Sequence, residues 1–130
     1  MTESRVKQKE LRPILHKFNK QLFKLKFQTI QDKNNPTIWY SLGRLYQIQQ
    51  NYLYAMNSFF IASKLNENNI DLKIYYLAAR FTVSKGYVDN IFFDVIKNVV
   101  LNNPINNTAL AFINVHNLLA YCFKQIYVRK

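Results

Sequence analysis

The residues equipped for chemistry are few and scattered. His16 and His116 are the two histidines, and neither has a carboxylate or cysteine at the spacing of a metal site or an acid–base pair. Cys122 is the single cysteine and stands six residues after His116, which puts the two on different faces of a helix. One cysteine also excludes an intramolecular disulfide framework and a multi-cysteine metal site. Gly43 and Gly86 are the only glycines, so no glycine-rich loop is present to cradle a phosphate. His116, on an apolar stretch, reads as a core residue with its hydrogen bonds satisfied. The expectation is therefore no catalysis, no cofactor, no metal and no small-molecule substrate. What remains is positive charge. Lys17, Lys20 and Lys24 share a helix face, Arg44 stands in the middle of the chain and Arg129-Lys130 end it. These are the candidate contacts for a polyanion or an acidic partner.

That charge is unevenly placed. The 130 residues hold 18 Lys and Arg against 7 Asp and Glu, a net of +11. Residues 1–33 carry nine basic and three acidic residues, residues 34–69 two and one, and residues 70–130 seven and three. The ends are basic and the middle is nearly neutral. A hydrophobic content of 49%, with 15% aromatic, supplies a folded core. Two Gly and three Pro leave little for the tight turns of a sandwich or barrel, so long helices with few joints are expected. Abundant Asn, Ile, Lys, Tyr and Phe reflect AT-rich coding, which suits an organellar genome and an AT-biased nuclear one alike.

Addressing signals are weak. The start has no apolar signal core, and Glu3 and Glu10 do not suit an acid-poor transit peptide. A mitochondrial location, expected here ahead of a cytoplasmic one, then requires synthesis in the organelle or entry without a cleaved leader. The stretch from Ala109 to Phe123 is apolar, but it contains Asn114, His116 and Asn117 and falls short of the ~20 residues a membrane span needs. It reads as a buried helix.

The elements follow from apolar spacing and breakers. Residues 5–30 read as an amphipathic helix, with Leu11, Leu15, Phe18, Leu22 and Leu25 on one face and Ile14 at its edge. Phe23, Phe27 and Ile30 form a second apolar edge, so the end of this helix should be covered on more than one side. Asn35-Pro36 supplies a cap and a first-turn proline for a second helix to about Ile48. Tyr52 to about Leu65 forms a third. Asp71 is the expected cap of a fourth, carrying Ile74, Leu77, Ala78 and Phe81, and Gly86 ends it. Asp89 to Leu101 forms a fifth, with Ile91, Phe92, Val95, Ile96, Val99 and Val100. Thr108 is the expected cap of a sixth, running to about Tyr127. The expectation is a single all-α domain of about six antiparallel helices.

Residues 36–69 resemble a tetratricopeptide repeat, a helix–turn–helix unit of about 34 residues. The pattern W-x2-L-G-x2-Y is matched by Trp39, Leu42, Gly43 and Tyr46, and Tyr52, Ala55, Phe59 and Ala62 follow at the family spacing. Glu67 stands where the repeat's closing proline would be. The spacing has its own physical sense: Gly43, Ala55 and Ala62 are small where helices must approach, and Phe59 fills the space between them. Leu at Gly43 or Ala62 should overpack the joint by ~1–3 kcal/mol. Residues 70–104 keep the length of a second unit, but Asn90, Asp94 and Lys97 fall near its small-residue positions. A basic helix at 1–33 and a capping helix within 105–130 complete a short α-solenoid of stacked hairpins.

The resemblance implies a module that binds rather than catalyses. Its inner groove would present Tyr40, Gly43, Arg44 and Gln47, which do not reproduce the Lys and Asn set of carboxylate-binding members. Arg44 would face an acidic or phosphate partner, or water. The aromatics should be occupied in the core, so any RNA contact should run through backbone phosphates. The expected role is a non-catalytic scaffold subunit in a large assembly, most concretely a mitochondrial ribosome, with other protein subunits and ribosomal RNA as partners. The alternative is a protein-only adaptor or a peripheral subunit of a respiratory or transport complex.

Overall fold

A computed structural model describes residues 2–102 and 113–128, with side chains for 16–102 and 114–125. Six helices and no strand are found among them: α1 (Thr2–Gln31), α2 (Pro36–Ile48), α3 (Tyr52–Leu65), α4 (Ile70–Val83), α5 (Asn90–Asn102) and α6 (Ile113–Val128). The all-α arrangement of helical hairpins is the one expected. The Leu11, Ile14 and Leu15 side chains, Pro104, Thr108, Arg129 and Lys130 lie outside the described residues.

Local chemistry sets the joints. Asn35 caps α2 by accepting a hydrogen bond from the Thr37 amide at 3.0 Å, with Pro36 in the first turn. Its amide nitrogen donates to Asp32 at 3.1 Å, and the Trp39 indole donates to the Lys33 carbonyl at 2.8 Å. The polar run 31–35 is thereby tied to both helices. At α4 the cap is Asn69, whose side chain accepts from the Leu72 amide at 3.4 Å; the expected cap, Asp71, sits inside the first turn. There its charge complements the helix dipole instead. Asp89 caps α5, accepting from the Phe92 amide at 2.7 Å. Past the end of α4, Lys85 (φ 55°) and Gly86 (φ 83°) turn in the left-handed region, which glycine adopts without a Cβ penalty. The Gly86 amide closes that end on the Phe81 carbonyl at 3.0 Å.

Packing then runs α1 on α2, α2 on α3 and α3 on α4. Leu42, Tyr46, Ala55 and Phe59 belong to one core cluster with Ile74, Leu77 and Ala78, and Ala55, Phe59 and Ala62 are fully buried. Gly43 lies so close to Phe59 that a Cβ there would stand 2.7 Å from ring atom Cε1. Phe59 in turn stacks on Tyr75, with centroids 5.3 Å apart. Trp39 and Tyr52 are half-buried at the helix starts.

Beyond α4 the order differs from two regular hairpins. The packing of α5 on α4 is slight, and α6 covers α4 more extensively. The side chains explain this. Helix α5 buries Phe92, Ile96 and Val100 on one stripe, leaves Ile91, Asp94, Val95 and Lys97 exposed, and has no small residue to allow close approach. Helix α6 instead buries Val115, Leu118, Leu119 and Cys122 in the common core. Its Asn114 accepts a buried hydrogen bond from Gln47, 67 residues earlier on α2. One face of this helix joins the core and the other, with His116, Asn117 and Phe123, is exposed; His116, expected as a core residue, is on the exposed side.

Candidate partner-binding faces

The described part of α1 is apolar on two sides. Phe18, Leu22 and Leu25 are half-buried and Thr29 is buried, and Leu22 and Leu25 pack against the core cluster. Lys26 strengthens this seat by lying 5.9 Å over the Tyr46 ring. The second edge is uncovered: Phe23 is 74%, Phe27 53% and Ile30 77% exposed. Their expected cover is absent among the described residues: α2 is the helix packed extensively on α1 there, and it buries the Leu22 and Leu25 side and not this edge. Beside this edge run Lys17, Lys20 and Lys24, all exposed. Lys17, Lys20, Gln21, Phe23, Lys24 and Phe27 form one continuous open face of α1. No Asp or Glu occurs from Leu11 to Gln31, so nothing on this stretch of helix neutralises the lysines.

A second face lies where α2 and α4 begin. Pro36, Thr37, Tyr40, Asn69, Asp71 and Tyr75 are among the residues lining a recess of about 280 Å³ that is polar and apolar in about equal part. Tyr40 and Tyr75 are 5.5 Å apart by centroid. Burial, and then a hydrogen bond with Tyr40, push the Tyr75 phenol well above its ordinary range, so it stays protonated. Arg44, expected to point at a partner or at water, is half-buried with its guanidinium 5.7 Å from the Tyr40 ring. Gly43 and Gln47, expected to line the groove, are buried against Phe59 and Asn114. A groove of about 400 Å³ includes Phe60, Lys64, Tyr76, Val95 and Val99.

Burial raises the Cys122 thiol pKa, with the Lys97 charge opposing it, and the residue is fully buried. Among the described residues no cluster of His, Cys, Asp and Glu could hold a metal ion, and no helix is long and apolar enough to cross a membrane.

Of the expected contacts, the structure brings Lys17, Lys20 and Lys24 together and sets Arg44 apart in the other face. Phe23 and Phe27, expected to be covered, stand exposed beside the lysines. No protein-family model, curated protein or solved structure matches the chain.

Proposed function

We propose that this chain is a non-catalytic, tetratricopeptide-like scaffold subunit of a large assembly, most concretely a mitochondrial ribosome. One observation carries the reading: large apolar side chains stand exposed on several unrelated faces. They include Phe23, Phe27 and Ile30 on α1, Leu53 and Tyr54 on α3, Tyr87 and Ile91 around the start of α5, and Phe123 on α6. Scattered single exposures are ordinary, but grouped ones on separate faces suit a subunit that meets several neighbours. The net charge of +11 favours an assembly that contains a polyanion, with RNA the natural one in a ribonucleoprotein. The resemblance of residues 36–69 to a repeat that serves as an interaction module points the same way.

The test is to purify the tagged full chain from its native source at low salt, with and without ribonuclease, and identify what accompanies it by mass spectrometry. The reading expects a set of ribosomal proteins whose recovery falls on ribonuclease treatment. Recovery of a nuclease-resistant, RNA-free protein complex would favour the protein-only adaptor, and a chain recovered alone would remove both.

A further inference from the structure

We propose that the open face of α1 binds single-stranded RNA through bases as well as phosphates, with Phe23 and Phe27 as stacking platforms beside a lysine row. This rests on the ribonucleoprotein reading and deepens it, since it names what one face holds. Three observations carry it. Phe23 and Phe27 are exposed, at 74% and 53%, although aromatics on a helix edge are ordinarily consumed by packing. They lie one helical turn apart, about 6 Å along the axis, and so present two separate platforms. Lys17, Lys20 and Lys24 lie on the same open face within about 10 Å of axis, with Gln21 as a polar neighbour. A cationic row that follows a sugar–phosphate backbone, paired with aromatic faces for bases, is the general chemistry of single-strand binding.

Other occupants fit less well. At 100° per residue, Phe23, Phe27 and Ile30 cover only about 60° of the helix circumference, narrower than the apolar face with which a helix lies in a bilayer. A second copy of this chain would set one lysine row against another. A duplex would satisfy the lysines and leave both phenylalanines in water, because its bases are already stacked. A protein groove with an acidic rim is the remaining competitor and is decided by experiment.

The probe is a fluorescein-labelled ten-nucleotide oligo(U), with an abasic oligomer of equal length and charge as control, titrated with the full chain by anisotropy. Three lysine–phosphate contacts predict a slope of log K against log salt near −2, so that raising salt fourfold weakens binding roughly 18-fold. F23A/F27A should weaken oligo(U) binding at least ~25-fold, at about fivefold or more per ring, while leaving the abasic control unchanged. K17E/K20E/K24E should abolish both. Because all five side chains are exposed, circular dichroism should show the variants folded. Equal affinity for oligo(U) and the abasic control, or an F23A/F27A protein that binds like wild type, overturns the proposal. So does loss of oligo(U) binding to vesicles of 30% phosphatidylglycerol added in competition, if those vesicles bind more tightly and need the same phenylalanines. If oligo(U) fails to bind while ribosomal proteins still co-purify, the base-stacking inference falls and the scaffold reading stands.

Discussion

Gly43→Ala adds one methyl group at the α2–α3 crossing, where Gly43 meets Phe59. The new Cβ would stand 2.7 Å from Phe59 Cε1 and 2.8 Å from Cδ1, so the ring must retreat by about 0.7 Å to reach the 3.4 Å of ordinary contact. It has nowhere to go. Phe59 is fully buried, its ring stacks on Tyr75 at 5.3 Å, and Tyr40 lies 6.2 Å away on the same side of the core. Overpacking of this kind costs ~1–3 kcal/mol. Against it stands the helix propensity of Ala over Gly, a gain of about 0.8–1 kcal/mol in a helix interior. The expected net effect is a loss of about 1 kcal/mol, read as a lower urea midpoint at unchanged slope. The cause can be isolated with Phe59→Leu. If the clash is real, Gly43→Ala should cost less, or even stabilise, when made together with Phe59→Leu, with a coupling energy above ~0.5 kcal/mol. A Gly43→Ala protein more stable than wild type by the full propensity gain, with no coupling to position 59, would refute the close-approach argument.

Three further outcomes follow from the same core. Gln47→Ala should cost about 1–3 kcal/mol by leaving the buried Asn114 amide without its donor, whereas a double replacement of Gln47 and Asn114 by Leu should cost much less; chemical denaturation of the three proteins decides it. Cys122 should resist an aromatic disulfide reagent at pH 8 in the native protein and react at once in 6 M guanidinium, because its thiol is buried and its pKa raised. Stability should also fall in alkali. Cys122 and Tyr75 have folded pKa values raised above their ordinary 9.0 and 10.0, so their contributions are complete below those values and are lost as the unfolded chain ionises above them. Urea midpoints from pH 7 to 10.5 should show this decline, and a Tyr75→Phe, Cys122→Ala protein should show a shallower one.

The α2–α3 hairpin is legible in the sequence because its packing is written locally. Gly43, Ala55, Phe59 and Ala62 alternate small and large at helical spacing, and that alternation suffices to define which faces meet. Asn35-Pro36 is legible for the same reason, as cap and first turn are adjacent residues. The start of α4 is placed two residues late because Asn69 and Asp71 are both competent caps, and only backbone geometry chooses between them. Partner choice beyond α4 is not legible: apolar periodicity shows that α5 and α6 each bury a stripe but not which of them α4 accepts. The small-residue deficit of α5 is visible, and the greater packing of α6 on α4 needs the third dimension. The same limit applies to Phe23, Phe27 and Ile30. Periodicity marks them as apolar, and only the placement of α2 against the Leu22 and Leu25 side leaves them open.

The central claim is that this chain works as a subunit held by neighbours on several faces, within an assembly that contains RNA. Sedimentation of the native-source extract through a low-salt sucrose gradient, with the chain followed by quantitative mass spectrometry and ribonuclease added to half the sample, tests it most directly. The account predicts that the chain travels with a ribosomal particle and shifts to light fractions after ribonuclease. A chain that sediments as a free protein of 15.5 kDa in both halves contradicts it.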